Sequence, residues 1–266
     1  MLAKVCAGAF HSRRDILWAT VIDLHSHLLP GLDDGAPDLA AAVELVRAAQ
    51  AAGVTRLAAT PHVRDDYPTR PAAIQEGLET VRAALGGTTI ELVAGAELAV
   101  SYLHRLSDDE LTGLTLGGGR YALVELPYTG WFVGTELALG RLRDLGIQPL
   151  LAHPERNDLI RDRPERLEVL VAAGAIVQLT ARSTHSGSRS PAAAAARALL
   201  NRGLVHVVAS DAHRPSPAGR RSPWQVDLPD RLRERFCVEN PAAILAGEPV
   251  DGVIRRRSLV RRLRRH

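Results

Sequence analysis

"VIDLHSHLLPGLDDG", residues 21–35, opens as an apolar run and closes on two imidazoles and two carboxylates. His25 and His27 stand one residue apart, so on an extended segment both side chains point to the same side. Asp33 and Asp34 follow shortly after. A strand that ends in such a cluster decides the fold only if other strands end the same way. In parallel α/β architectures the carboxyl ends of strands share one face, where functional groups collect.

The other strands do end that way. β-rich runs are predicted at 21–27, 56–62, 90–97, 121–127, 147–153, 175–181 and 204–211. Between them lie helical patterns at 38–52, 71–85, 134–145, 164–173 and 191–202. Pro71, Pro164 and Pro191 mark helix starts, and Gly53, Gly86, Gly146, Gly174 and Gly203 mark stops. Residues 107–120 have room for only a short helix. Seven strands alternating with helices predict an α/β fold with a parallel sheet. At 266 residues, the closed solution is a barrel one unit short of (β/α)₈, and an open doubly wound sheet is its rival. Residues 20–254 form one domain on this pattern, with 1–19 an N-terminal extension and 255–266 an Arg-rich tail.

Six of the seven runs end in a cation-binding group: His25 and His27, then His62, Glu97, Glu125, His153, and finally Asp211 with His213. Asp34 follows the first run. A lone His-x-His is weak evidence, and any of the later groups alone is weaker; their recurrence in register with strand ends is what points to metal. Nitrogen and oxygen donors without sulfur suit zinc, iron or manganese better than magnesium. Nine donors exceed one four-coordinate ion and fit two or three ions sharing a carboxylate. His206 lies within an apolar run and reads as a core residue. His11, His104, His185 and His266 have no partner pattern.

Composition narrows the function. The net charge is +3, but the tail carries seven arginines, so the rest of the chain is at −4. A nucleic-acid-binding face is therefore not expected. Cys6 and Cys237 are too few for a disulfide framework or a thiolate zinc site. Neither is followed by arginine at the spacing of a C-x₅-R phosphate loop, so thiol-based phosphoryl chemistry is not expected either. No run approaches the roughly 18 apolar residues of a membrane span, and "VCAGAF" is too short for a signal sequence. A soluble cytoplasmic protein is expected.

The ordered set His25-Ser26-His27, Thr60-Pro61-His62, Gly95-Ala96-Glu97, Ala152-His153-Pro154 and Ser210-Asp211-Ala212-His213 resembles the polymerase-and-histidinol-phosphatase (PHP) superfamily. "DLHSHLLPGLDDGA", "RYALVELP", "AHPER", "LVHVVASDAH" and "ENPAAIL" are similar to segments of its manganese-dependent protein-tyrosine phosphatases from capsule and exopolysaccharide operons. Many superfamily members have histidine where Glu125 stands, whereas that branch has glutamate. The resemblance implies a distorted (β/α)₇ TIM-like barrel with three divalent metal ions at the carboxyl ends of the strands. Manganese is the expected metal, with iron or zinc as alternatives. By motif, His25, His27, Glu97 and Asp211 would hold the first ion. Glu97, Glu125 and His153 would hold the second, and Asp34, His62 and His213 the third.

Two ions sharing Glu97 imply a bridging hydroxide as nucleophile. Arg156 and Arg220 (or its neighbour Arg221) are the expected partners of the phosphate oxygens. The implied substrate is a phosphotyrosine-bearing protein, such as the tail of a bacterial tyrosine kinase. No nucleic acid and no stable membrane insertion are implied, and the oligomeric state is left open. Two other functions compete. One is a phosphatase of histidinol phosphate or a nucleotide on the same metals; the other is a binding module that uses the arginine tail.

Overall fold

The computed structural model describes residues 21–215 and 220–250. The expected N-terminal extension and the arginine tail lie outside the described residues. The strands are β1 (Val21–Asp23), β2 (Val54–Ala59), β3 (His62–Arg64), β4 (Tyr67–Pro68), β5 (Glu91–Ala94), β6 (Glu97–Ala99), β7 (Tyr121–Glu125), β8 (Gln148–Ala152), β9 (Ile176–Thr180) and β10 (Val207–Ala209). The helices are α1 (Leu39–Ala51), α2 (Pro71–Leu85), α3 (Asp108–Gly113), α4 (Thr135–Asp144), α5 (Asp158–Asp162), α6 (Glu165–Ala172), α7 (Pro191–Arg202), α8 (Asp230–Glu234) and α9 (Asn240–Leu245).

The α/β fold with parallel sheets is as expected, but the closed barrel is not. The strands form a three-stranded sheet, β1-β2-β5, and a seven-stranded sheet, β10-β9-β8-β7-β6-β3-β4. Every pair is parallel except the β3–β4 hairpin. The ladder fails for a local reason. Two predicted runs break just before His62 and Glu97, one at Thr60-Pro61 between β2 and β3, the other at Gly95-Ala96 between β5 and β6. Pro61 has no N–H to give to a ladder, though its carbonyl accepts from the Glu97 N–H at 3.0 Å. At Gly95 a Cβ would meet Leu116 Cδ2 at 2.7 Å and Thr60 Cγ2 at 3.3 Å, so a larger residue there would displace the Leu116 side chain. Between the ends of β1 and β10 there is a single bridge, Ser26 with Ala212. The Asp211 N–H donates to the His25 carbonyl and the His27 N–H to the Ala212 carbonyl, each at 2.9 Å.

Local signals account for the helices. Asp38 caps α1 by accepting from the Ala41 N–H at 2.8 Å, and Ser190 caps α7 by accepting from Ala193 at 3.2 Å. Pro71 and Pro191 open their helices, and Gly86 and Gly203 end them at φ 63° and 70°. The short helix expected after residue 100 is α3, held by a reciprocal Ser107–Glu110 capping box. Helices α5, α8 and α9 were not anticipated, being too short for a periodic pattern to register. α8 and α9 are joined by a π-helical turn, Arg235–Glu239, that buries Phe236 and Cys237 in the main core.

The loop between β1 and α1 folds back on the first histidine pair. The Ala36 N–H donates to the His27 carbonyl at 3.0 Å, and a Cβ on Gly35 would stand 2.0 Å from that same oxygen. Gly35→Ala should therefore cost about 1–3 kcal/mol or more, read as a lower urea midpoint at unchanged m-value. A midpoint equal to wild type would show that the loop does not press on His27.

Candidate metal centre

Strand register brings the predicted groups together. His62 and Glu97 are direct partners where β3 pairs with β6. Glu125 ends β7 opposite Ala99 of β6 and Ala152 of β8, one residue before His153. His25 and His27 flank the Ser26–Ala212 bridge, and Asp211 and His213 flank its other side. Among the described residues, only His153 (φ 31°) and Asp211 (φ 55°) are non-glycines in the left-handed region. Backbone held there costs energy and tends to sit at functional sites.

The spacing is that of ligand shells. Donor atoms about 2.1 Å from a common ion stand about 3.0 Å apart at right angles and about 3.4 Å apart at tetrahedral angles. His25 Nε2 and His27 Nε2 are 3.1 Å apart. Each lies 3.3–3.4 Å from Glu97 Oε2 and from Asp211 Oδ1. Glu97 Oε1 is 2.8 Å from His153 Nε2, which is 3.9 Å from Glu125 Oε1. Asp34 Oδ1 lies 3.5 Å from His62 Nε2 and 3.4 Å from His213 Nε2. All nine predicted donors fall into clusters able to hold an ion. The grouping departs from the expected sets: His27 also joins Asp34, His62 and His213, and His153 joins His25 and Asp211. His62, whose Nδ1 lies 3.0 Å from Glu97 Oε2 and 3.9 Å from Glu125 Oε2, takes the place expected for His153 beside those two carboxylates.

A cation fits this donor set better than hydrogen bonds do. His25 Nδ1 meets Gln178 Oε1 at 3.0 Å, and His27 Nδ1 meets Asp33 Oδ2 at 2.6 Å. Each ring therefore carries its proton on Nδ1 and turns the lone pair of Nε2 inward. Two inward lone pairs 3.1 Å apart repel unless a proton or a cation lies between them. His62 Nδ1 and Glu97 Oε2 are buried without a hydrogen-bond partner despite their proximity, as donors aimed at a common ion would be.

The electrostatics point the same way. Burial alone would lower the pKa of His27, but bonds to Asp211, Asp33 and Glu97 hold it well above 6.5. His25 is raised against its own burial by Glu97 and Asp211. Burial would raise Glu97, yet the charges of His25 and His153 keep it well below the usual carboxylate range. Asp211 is likewise driven down against its burial by His25 and His27. Without metal, the cluster holds protons that an ion must displace, so affinity should rise with pH.

Three supporting residues carried no assigned role in the sequence reading. Gln178 on β9 and Asp33 orient the first two imidazoles. Asp23, buried, accepts from the Ser210 hydroxyl at 2.5 Å, Ser210 N–H at 3.0 Å, His25 N–H at 3.2 Å and Trp224 Nε1–H at 2.7 Å, tying β1 to the segment that carries Asp211. Asp33 had a visible signal in its adjacency to Asp34; Gln178, in mid-strand, had none. Asp33 also accepts from the backbone N–H groups of Gly35 and His62. Asp33→Asn should weaken metal binding about 10–100-fold, measured by calorimetric titration of the metal-free protein; unchanged affinity would mean that His27 needs no such orientation.

A cavity of about 880 Å³ opens beside the cluster, lined by Asp34, Asp211 and His213 and by Arg156, Arg182, Arg214, Arg220 and Arg221. Arg156 makes a short ion pair with Asp211 and donates to the Tyr128 hydroxyl at 3.3 Å. Arg220 is exposed on the wall, whereas Arg221 pairs with Asp227 at 2.6 Å. His185, set aside on sequence grounds, also lines this cavity and meets the Gln225 carbonyl at 3.0 Å. His206 is a buried core residue whose Nδ1 accepts from the Val177 N–H at 3.2 Å.

A family model described as "Capsular polysaccharide synthesis, CpsB/CapC" matches residues 21–250. The "Tyrosine-protein phosphatase YwqE" of Bacillus subtilis is 35% identical over 198 residues, 73% of this chain and 77% of that one. The "Tyrosine-protein phosphatase CpsB" of Streptococcus pneumoniae is 28% identical over 239 residues, 86% of this chain and 96% of that one. A crystal structure from a study of these two proteins, described as "unique metal-dependent tyrosine phosphatases", superimposes with TM-score 0.73 at 29% identity. The match covers 87% of this chain and 96% of that one.

Proposed function

The chain belongs to the CpsB/CapC family of capsular polysaccharide synthesis, and from that premise we propose that it is a metal-dependent protein-tyrosine phosphatase. The observation that carries the proposal is the convergence of nine imidazole and carboxylate donors beside an arginine-lined cavity. On this reading three divalent ions, manganese first among the candidates, would be held by the sets His25, His27, Glu97, Asp211; Glu97, Glu125, His153; and Asp34, His62, His213. Bound there, the ions would supply a water of pKa near ~7 and offset charge on the phosphoryl oxygens.

The chain's own residues do the rest. Glu97, fully buried among four imidazoles, fixes the spacing of the first two sets. Arg156 is anchored by Tyr128 and Asp211 at the cavity wall, where its planar fork suits phosphate oxygens. A phenolate leaving group, with a pKa of about 10, needs less protonation than an alkoxide. Thiol chemistry has no support among the described residues. Cys237 is buried, and burial with nearby Asp23 pushes its thiol up to about 12.

The substrate on this reading is a phosphotyrosyl protein of the polysaccharide machinery, a tyrosine kinase tail being the leading candidate, and the enzyme acts in the cytoplasm. No helix of the described residues is long and apolar enough to cross a membrane. Residues 20–254 constitute the phosphatase domain, and the segments on either side are accessory to it. With manganese supplied, phosphate release from a phosphotyrosyl peptide should exceed that from histidinol phosphate or a nucleotide. The reverse order would transfer the site to small-molecule substrates.

A further inference from the structure

We infer that the cavity holds a second anion subsite, formed by Arg182 and Arg214, that selects phosphotyrosyl peptides carrying another negative group close to the scissile phosphate. This deepens the phosphatase reading and rests on it.

Three consecutive strands carry the inference. β8, β9 and β10 are hydrogen-bonded neighbours, and beyond each carboxyl end stands an arginine that lines the same cavity: Arg156, Arg182 and Arg214. Of these three, β9 is the strand whose end supplies none of the nine donors; Arg182 occupies the 3₁₀ turn Ala181–Thr184 that follows it. Neighbouring strands lie about 4.8 Å apart, so the exits of β8 and β10 are about 10 Å apart. An extended peptide advances about 3.3 Å per residue, so an anion two or three residues from the phosphotyrosine spans that distance.

The charges do not balance without a second anion. Asp34 and Asp211 are the carboxylates of the cavity wall, and both belong to the proposed metal sets. Arg156 pairs with Asp211 and Arg221 with Asp227, whereas Arg182, Arg214 and Arg220 have no ion pair among the described residues and are exposed; with Arg220 assigned to the scissile phosphate beside Arg156, Arg182 and Arg214 are left over. A single phosphotyrosine brings about two negative charges, to be met by Arg156, Arg220 and the metals. About 880 Å³ lies towards the upper end of ligand-pocket volumes, leaving room for flanking residues.

The shared chemistry is an anion on the same peptide, either a second phosphotyrosine or an Asp/Glu. Three peptides separate these sources: one phosphotyrosine with neutral flanks, one with acidic flanks, and one doubly phosphorylated. Phosphate release and fluorescence anisotropy are measured on the manganese-loaded enzyme. Both anionic peptides should be preferred over the neutral one by about three- to tenfold, through KM and Kd rather than kcat. That ratio should collapse towards one in R182Q/R214Q and persist in R182K/R214K. Because the ratio is taken within each enzyme, a partly misfolded variant does not blur it. Preference for the doubly phosphorylated peptide alone would assign the subsite to phosphate. Equal KM for all three peptides in wild type, or a preference that survives R182Q/R214Q, would overturn the subsite. If no peptide releases phosphate, the phosphatase reading fails while the anisotropy ranking still decides the subsite.

Discussion

Replacing Glu97 with glutamine should lower kcat/KM on a phosphotyrosyl peptide by at least about a thousandfold, about 4 kcal/mol of transition-state stabilisation. Glu97 is wholly buried and approaches four imidazoles: His25 at 3.3 Å, His27 at 3.4 Å, His62 at 3.0 Å and His153 at 2.8 Å. Glutamine keeps the shape, so packing is preserved. What changes is the charge of the one carboxylate common to two proposed ligand sets, and an amide, with one neutral oxygen, cannot replace two anionic donor oxygens. The metal content of the variant should fall with its activity. Activity within tenfold of wild type would show that Glu97 bridges nothing. The neighbouring Glu125 predicts a smaller loss, because it lies at the margin, 3.9 Å from both His62 and His153.

Stripping the metals should abolish turnover and also change how stability depends on pH. In the metal-free protein the folded pKa values of His25 and His27 are raised above 6.5. Their contribution is therefore fully present below 6.5 and is lost as pH rises through the raised values. Glu97 and Asp211 are depressed below 4.5 and 3.8, so their contribution is present above those values and is lost as pH falls through the depressed ones. Metal-free protein should accordingly be most stable between about 4.5 and 6.5 and should weaken on the alkaline side. Divalent ions compete with the cluster's protons, so their stabilisation grows with pH. Thermal melts with chelator and with added manganese should diverge most above pH 7. Curves that coincide across that range would mean that the donors take up no ion.

The site was legible in the sequence to an unusual degree because its donors repeat at strand ends. In a parallel fold that repetition converts separation along the chain into proximity. His25 and Asp211, far apart in sequence, meet because β1 and β10 exit side by side and Ser26 bridges Ala212. Each predicted run contains a strand, since Val, Leu and Ile crowd between glycine and proline stops, but β1 and β10 are only three residues long and β4 lies outside every run. The closure of the barrel was beyond the pattern. It depends on where hydrogen-bonded ladders break, and Thr60-Pro61 and Gly95-Ala96 sit within runs that read as continuous. Gln178 shows a different limit. Its role as the partner of His25 Nδ1 comes from facing across the strand ends, and a mid-strand glutamine carries no local mark of that. Arg182 carries no local mark either; only the shared cavity distinguishes it.

The central claim concerns divalent ions gathered by scattered residues, and elemental analysis measured alongside turnover addresses it directly. Protein reconstituted with manganese should carry close to three ions per chain, and phosphate release from a phosphotyrosyl peptide should rise in step with that occupancy. Full activity in protein shown to be metal-free, or a reconstituted chain that retains no ion after desalting, would contradict the account.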